Sequence, residues 1–289
     1  MLTERLRAWE AAGTYEEVAG RRLWVVRREG IRPALLLLHG FPSSSYDWKR
    51  LLDARPGRAV LAFDCLGFGL SDKPDDVEYT LGWQADAAEE LVRRAELEEV
   101  FVVGHDMGTS VATELFARDL RGELTMRIVG ALLFNGSMLL HRASPTPGQK
   151  LLRSRLGPLF ARLNSERTFR LQFARVFSKQ HPLEPAEAAD QWALLAHGDG
   201  HRRLALTINY MNERERYTER WHGAIRDWPG ALSLAWGLED PVATTNVLDG
   251  LRELRPGVPV SELPGAGHYP QVEVPERLAA ALDAALALV

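Results

Sequence analysis

Apolar runs and helical repeats alternate along this chain of 289 residues. Runs rich in Val, Leu, Ile and Phe predict strands at residues 23–26, 34–38, 59–63, 100–103, 128–134, 231–236 and 258–263. Apolar residues at helical spacing predict helices that include 81–95, 109–119 and 275–289. Because the strands are almost continuously apolar and alternate with helices, we predict an α/β fold with a mostly parallel sheet flanked by helices.

The pattern changes between residues 137 and 227, where helical stretches are separated by Pro182, Pro185 and Gly198-Asp199-Gly200. We interpret 137–227 as a helical cap inserted into a core formed by 1–136 and 228–289. A cap of this kind covers a site on the sheet, excludes water and restricts which substrates enter.

The composition and charge of the chain argue against several classes of function. The net charge is −4, and no Lys/Arg-rich run is interrupted by aromatic residues, which argues against nucleic-acid binding. No stretch approaches 18 uninterrupted apolar residues, so we expect no membrane span. A single cysteine, Cys65, excludes an internal disulfide and fits a reducing cytoplasm. The sequence does not indicate an oligomeric state.

The most informative stretch is Gly104-His105-Asp106-Met107-Gly108-Thr109, directly after the predicted strand 100–103. Small residues permit a sharp strand-to-helix turn that presents Asp106 in a strained, exposed position. A turn of this kind is a nucleophile elbow. A Gly-x-Asp-x-Gly string alone is often only a turn with a capping Asp, so the functional interpretation depends on what accompanies it.

A second loop follows the strand 34–38 and reads His39-Gly40-Phe41-Pro42. It lies where a backbone N–H of Phe41, together with the N–H of Met107, can form an oxyanion hole. His39 is a candidate for substrate contact or a base, although a histidine here more often orients the loop through a hydrogen bond.

Two further polar residues follow the last predicted strands. His268 follows the strand 258–263, and two acids follow the strand 231–236 in Gly237-Leu238-Glu239-Asp240-Pro241-Val242. This segment resembles the acid turn of α/β-hydrolases, which favours Asp240 over Glu239 as a triad acid. The chain order nucleophile, acid, histidine is also the order of that superfamily. No histidine pair has convincing metal-ligand spacing, so we expect neither a metal nor a cofactor.

An aspartate nucleophile changes the chemistry that the elbow can perform. A carboxylate that attacked an acyl carbon would form a mixed anhydride, whereas attack on an sp3 carbon that bears oxygen or halide forms a stable alkyl ester. Activated water can then cleave that ester. The sequence therefore predicts hydrolysis of a carbon–heteroatom bond in a small hydrophobic substrate.

These motifs resemble the α/β-hydrolase superfamily, in particular its aspartate-nucleophile branch of epoxide hydrolases and haloalkane dehalogenases. The resemblance covers essentially the whole chain and includes segments 39–48, 64–74, 197–210 and 268–271. It implies an α/β-hydrolase fold with Asp106 as nucleophile, His268 as the base that activates water and Asp240 as the group that orients His268.

The resemblance does not determine whether the substrate's leaving group is an epoxide oxygen or a halide. Dehalogenases of this branch hold halide with side-chain N–H donors at positions that are Phe41 and Met107 here; a cap tryptophan such as Trp192 or Trp221 is a possible substitute. Epoxide hydrolases use two cap tyrosines, and Tyr210 matches the later one. The earlier tyrosine has no counterpart in 171–177, which leaves Tyr217 as a candidate second donor.

We therefore predict an epoxide hydrolase that yields a diol, with haloalkane dehalogenase as the alternative. A non-catalytic small-molecule-binding protein of the same fold is the second alternative, because fold alone does not determine function. The set Asp106, Asp240 and His268 argues against it, since a receptor needs no hydrolytic base.

Overall fold

The computed structural model describes residues 2–289 and contains one eight-stranded sheet. Its strands are β1 (Thr14–Val18), β2 (Arg21–Arg28), β3 (Ile31–Leu38), β4 (Arg58–Phe63), β5 (Glu99–His105), β6 (Arg127–Phe134), β7 (Ala231–Gly237) and β8 (Val260–Leu263). The spatial order is β1-β2-β4-β3-β5-β6-β7-β8; β2 is antiparallel to both neighbours, and the strands from β4 to β8 are parallel. The predicted mostly parallel sheet is confirmed.

Helices cover the sheet and form the inserted region. They are α1 (Glu4–Ala11), α2 (Lys49–Ala54), α3 (Leu81–Arg94), α4 (Met107–Asp119), α5 (Pro147–Leu152), α6 (Gly157–Leu163), α7 (Glu166–Phe173), α8 (Pro185–Ala196), α9 (Leu204–Thr207), α10 (Tyr210–Arg216), α11 (Thr218–Asp227), α12 (Thr245–Leu254), α13 (Pro270–Glu273) and α14 (Pro275–Leu286). Helices α5 to α11 lie between β6 and β7, which confirms the helical insertion. The division of the chain at 137 and 227 into two domains stays a prediction.

Strand β1 has no counterpart among the predicted strands. Its sequence is Thr-Tyr-Glu-Glu-Val, and its side chains are mostly exposed because it lies at the edge of the sheet and pairs with β2 alone. The apolar runs that predict the central strands arise because those strands are covered on both faces. An edge strand has no such requirement.

The central strands divide their side chains between two apolar layers. Leu36 and Leu38 of β3 belong to one buried cluster, whereas Leu35 and Leu37 belong to the cluster on the opposite face of the sheet. All four are at most 2% exposed. Alternation along a strand therefore places every residue of the run in a core, and this explains why the run is continuously apolar.

The turn between β5 and α4 consists of Asp106, whose backbone has φ 43° and ψ −107°. This left-handed φ is uncommon for a residue with a Cβ atom. Neighbouring glycines make the geometry possible. A Cβ atom on Gly108 would lie 2.0 Å from the carbonyl oxygen of Leu38, and one on Gly40 would lie 2.8 Å from Cβ of Asp106. The first turn of α4 thus packs with its backbone directly against the end of β3.

The inserted region is tied to the core through Asp190 of α8, which is 1% exposed. Its carboxylate accepts hydrogen bonds from Thr3 Oγ1 at 2.6 Å and from Tyr46 Oη at 2.9 Å. The guanidinium of Arg5 lies 2.7 Å from the same carboxylate. Three separate parts of the chain therefore meet at one buried carboxylate.

Among the helices within residues 2–289, none has both the length and the apolar character needed to cross a membrane.

Replacing Gly108 by Ala should destabilise the protein because the added methyl group would collide with backbone of β3, which cannot rotate away. We expect a loss of about 2–4 kcal/mol in the free energy of unfolding, measured by urea denaturation. Gly82→Ala in α3 is the matched control, since the nearest atom to its added Cβ is 3.9 Å away. Equal stability of the two variants would contradict the proposed backbone contact.

Candidate active site

The candidate site lies beyond the carboxyl ends of β3, β5, β7 and β8, the edge at which parallel α/β sheets bind ligands. A cavity beneath the inserted helices reaches Phe41 and His268 from the core side. Its apolar walls are provided by Leu152, Phe160, Phe169, Phe173, Val176, Leu204 and Tyr269. The cavity therefore suits a small hydrophobic molecule.

Asp106 is 1% exposed, and its two carboxylate oxygens have different surroundings. Oδ2 accepts a hydrogen bond of 3.0 Å from the backbone N–H of Phe41, whereas Oδ1 accepts none from the described residues. The main-chain carbonyl of Asp106 accepts hydrogen bonds from Thr109 Oγ1 at 2.5 Å and from Arg214 Nη2 at 2.7 Å. The backbone of the turn is thus held firmly while one carboxylate oxygen stays available.

One backbone N–H binds this carboxylate, since Phe41 donates to Oδ2. Met107 is the first residue of α4, so its N–H has no acceptor within the helix. The N-terminus of α4 also favours negative charge at this position. The N–H of Phe41 therefore faces Asp106, and the assignment of Phe41 and Met107 to an oxyanion hole stays a prediction.

Asp240 and His268 form a buried pair in which Nδ1 of His268 lies 2.7 Å from Oδ2 of Asp240. The other oxygen of Asp240 accepts the backbone N–H groups of Val242 at 2.7 Å and Ala243 at 3.0 Å. Burial by itself would lower the pKa of His268, but the charge of Asp240 and its hydrogen bond outweigh burial, and the charge of Asp106 adds to them. The pKa of His268 is consequently raised to about 9.

Asn135 holds Asp240 in place and was not among the predicted site residues. Its Nδ2 donates to Asp240 Oδ2 at 2.8 Å, and its Oδ1 accepts the backbone N–H of Gly237 at 3.0 Å. It directly follows β6 and has a φ of 45°. A polar residue immediately after a buried parallel strand is the signal that identified Asp240, and the same signal identifies Asn135.

A further network positions the loop that carries His268. The Gln271 side-chain amide donates to His105 Nδ1 at 3.0 Å, which leaves the proton of His105 on Nε2 to donate to the His268 carbonyl at 2.7 Å. Burial holds the pKa of His105 well below its usual value. The carboxylate of Glu273 accepts N–H groups of the same loop at 2.9 and 3.0 Å. His105 is thus more than a packing residue.

His39 braces a loop and does not line the cavity. Its Nε2 accepts the backbone N–H of Cys65 at 2.9 Å, so Nδ1 carries the proton and donates to the carbonyl of Gly40 at 2.8 Å. Burial lowers the pKa of His39. With both ring nitrogens engaged, the interpretation of His39 as a loop-orienting residue fits the geometry, and the prediction that it contacts substrate finds no support in the cavity.

Of the three aromatic cap residues predicted to act at the site, the structure brings one next to it. The ring of Tyr210 lies 5.5 Å from the ring of Phe41, centroid to centroid. Burial raises the pKa of Tyr210, and the nearby Asp106 charge raises it further. Tyr217 packs against Trp221, and Trp192 packs against Phe169. None of the three predicted aromatic residues lines the cavity, so their assignment to the substrate or the leaving group stays a prediction.

Arg214 is a second cap residue that reaches the nucleophile, and sequence reasoning missed it. The run Glu213-Arg214-Glu215-Arg216 reads as a solvated helix face, but this interpretation is wrong for half of it, since Glu213 and Arg214 point inward. The Arg214 side chain is 0% exposed, and its Nη2 lies 3.8 Å from Asp106 Oδ1. Its guanidinium lies 4.7 Å above the Tyr210 ring, and its buried Nη1 has no hydrogen-bond partner among the described residues.

Comparisons with known proteins identify the family and the fold. The model of the Alpha/beta hydrolase family matches residues 35–281. The protein LipZ of Mycobacterium tuberculosis is 51% identical over 288 residues, which cover 100% of this chain and 99% of LipZ. The mesoderm-specific transcript protein of Mus musculus, whose motifs the segments 39–48 and 268–271 resemble, is 32% identical over 95% of this chain and 85% of its own length.

Among solved structures, the haloalkane dehalogenase DatA of Agrobacterium tumefaciens C58 superimposes with a TM-score of 0.79. The alignment covers 96% of each chain at 22% sequence identity, which supports the fold.

The raised pKa of His268 should make its contribution to stability depend on pH. An unfolded histidine has a pKa near 6.5 and His268 has one of about 9, so stabilisation by the charged ring is complete below about pH 6.5 and is lost as pH rises through about 9. The difference in free energy of unfolding between wild type and His268→Gln should shrink by about 3 kcal/mol over this window. Urea titrations at several pH values measure it. A difference that stays constant with pH would contradict the charged pair.

Proposed function

Since this chain belongs to the α/β-hydrolase family, we propose that it opens a carbon–heteroatom bond at sp3 carbon through an ester on Asp106, with an epoxide as substrate and a diol as product. The observation that supports this proposal is that the two oxygens of the Asp106 carboxylate have different surroundings. Phe41 N–H binds Oδ2, and Oδ1 accepts no hydrogen bond from the described residues. Oδ1 is therefore the oxygen that attacks.

In the first step, Oδ1 of Asp106 forms a bond to a ring carbon and the carbon–oxygen bond of the epoxide breaks. The alkoxide then takes the phenolic proton of Tyr210. Because the pKa of Tyr210 is raised, the phenol keeps this proton until a base as strong as the alkoxide forms. The resulting phenolate is stabilised by the guanidinium of Arg214, which lies 4.7 Å from the ring centroid. One positioned phenol together with a buried cation thus assists the leaving oxygen.

Formation of the ester changes the electrostatics of the site. A neutral ester replaces the Asp106 carboxylate, whose negative charge helps to raise the pKa of His268. The pKa of His268 falls in consequence, and its proton becomes available to restore the Tyr210 phenol. His268 is therefore released as a base after the alkylation step, when a base is required.

In the second step, neutral His268 removes a proton from water as the water oxygen attacks Cγ of the ester. The oxyanion that forms is held by the N–H groups of Phe41 and Met107. As this intermediate collapses, the bond between Cγ and the substrate oxygen breaks, and the departing alkoxide takes the proton of the hydroxyl group added to Cγ. The carboxylate is thereby regenerated and the diol is released. The proton ends on His268, where Asp240 stabilises the positive charge at 2.7 Å, and the resting state is restored.

The halide alternative is less well supported by the surroundings of Asp106. The side chains of Phe41 and Met107 carry no N–H donor, and a departing halide would lose hydrogen bonds worth roughly 1.5–3 kcal/mol each. Trp221 does not replace them, because its indole N–H donates to Glu114 at 2.9 Å.

Placement of the enzyme in the cytoplasm stays a prediction.

Replacing His268 by Gln should block the second step and trap the ester. After exposure of this variant to a panel of small hydrophobic epoxides, intact mass spectrometry should show an adduct with the full mass of the epoxide, and peptide mapping should place it on Asp106. The double variant Asp106→Asn/His268→Gln is the matched control and should show none.

An adduct formed only from haloalkanes, and lacking the halogen, would favour the dehalogenase instead. Adducts from neither panel, with wild type equally inert, would overturn both forms of the proposal and favour a binding protein.

Replacing Tyr210 by Phe should lower the rate of ester formation by about 100-fold or more, because the alkoxide loses its proton donor. Rapid-quench measurement of adduct formation in the His268→Gln background isolates this step. Tyr217→Phe is the matched control: it removes, from the same helical region, a phenol that packs against Trp221, whereas Tyr210 packs against Phe41, and it should leave the rate unchanged. If the two substitutions had equal effects, Tyr210 would not be the donor.

A further inference from the structure

The outer surface of helices α6 and α7 exposes large apolar side chains. Leu156, which precedes α6, is 61% exposed; Leu159 and Leu163 on α6 are 56% and 70% exposed, and Leu171 on α7 is 60% exposed. Burying such side chains is favourable, so four leucines left in water on consecutive helices indicate a surface that is covered under some condition.

The exposure follows from the helical period. Leu156, Leu159 and Leu163 recur at spacings of three and four residues and lie on one face of α6, whereas Ala161 on the opposite face is fully buried. On α7, Leu171 lies opposite Phe169 and Phe173, which line the cavity. Helix α6 therefore has apolar residues on both faces, and the outer side of α7 adds Leu171 to the exposed leucines.

Positive charge surrounds these leucines. Residues 142–179 contain nine Lys or Arg and one Glu, a net charge of +8 in a chain whose total is −4. Six of these cations are exposed and form no ion pair with a carboxylate of the described residues: Lys150, Arg155, Arg162, Arg167, Arg175 and Lys179. On the period of α6, Arg155 and Arg162 flank the leucines directly.

A second cavity adjoins the candidate substrate cavity near this surface. Phe160 and Gln172 line both cavities, and the second is also lined by Leu151 and Arg175. The outer leucines and the residues that the two cavities share are thus carried by the same short helices.

We propose that this outer face of α6 and α7, with its four leucines and with exposed cations on and next to these helices, docks on the surface of an anionic lipid bilayer. Leucines that project from convex helices can enter the loosely ordered acyl boundary, while the flanking cations contact anionic headgroups. The excess of positive charge is complementary to such a surface. The proposal concerns a surface outside the site and does not depend on which bond Asp106 attacks.

Sedimentation of full-length protein with sucrose-loaded vesicles tests the docking. Wild type should bind vesicles of mixed phosphatidylglycerol and phosphatidylcholine, bind pure phosphatidylcholine at least about tenfold more weakly, and lose binding as salt is raised. Leu159→Gln/Leu163→Gln should weaken binding at least about tenfold. Arg155→Gln/Arg162→Gln should do the same and reduce the salt dependence.

The matched control is Ile31→Gln/Arg32→Gln, which removes an exposed apolar residue and an exposed cation at the start of β3, away from the cap. It should bind as wild type does. Thermal unfolding verifies that every variant is folded.

Absence of wild-type binding to the anionic vesicles, or an equal loss in the control, would overturn the proposal. Analytical ultracentrifugation distinguishes a second copy of the chain as the occupant: a dimer that the leucine substitutions dissociate, without vesicle binding, would also overturn it.

Discussion

The geometry of the site depends on the contact between the first turn of α4 and the end of β3. At Gly108 and Gly40 the two backbones approach so closely that neither position has room for a Cβ atom. This approach brings the N–H of Phe41 within 3.0 Å of the Asp106 carboxylate and fixes Asp106 at its left-handed φ. Strain of this kind persists where the surroundings over-determine it, and here the surroundings are the buried ends of the central strands β3 and β5. The carboxylate is therefore positioned by the core, and the cap only has to cover it.

Two pairs of opposite charges lie in the buried site, one within the core and one between the cap and the core. Asp240 neutralises His268 within the core, whereas Arg214, carried by the cap, approaches Asp106. A buried cation with an unsatisfied N–H group is costly, since desolvation is compensated only when partners surround the charge. The cap consequently contributes to the electrostatics of the nucleophile, in addition to shaping the cavity. Alkylation of Asp106 would remove the partner of Arg214, so a negative charge on the leaving oxygen would be stabilised next to it.

The sequence predicted the central sheet, the elbow and the positions of Phe41, Asp106, Met107, Asp240 and His268, because strand ends and tight turns leave local signals. It did not predict β1, whose edge position requires no apolar run. His105 and Gln271 were missed because their roles depend on hydrogen bonds between distant segments, and Asn135 was overlooked although it directly follows a buried strand. Arg214 was assigned to a solvated face, since four alternating charges do not reveal which two point inward. The exposure of the α6 leucines was not predicted. Helical spacing shows that apolar residues share a face, but it does not show whether that face is covered.

The carboxylate of Asp190 has a mechanical consequence for the cap. It fastens α8 to Thr3, Arg5 and Tyr46, so a displacement of α8 must break hydrogen bonds and an ion pair in a buried location. Helices α6 and α7, whose outer faces are unpacked, carry no such fastening to that carboxylate. The first residues of the chain therefore restrain the α8 side of the cap, although they lie far from the cap in sequence.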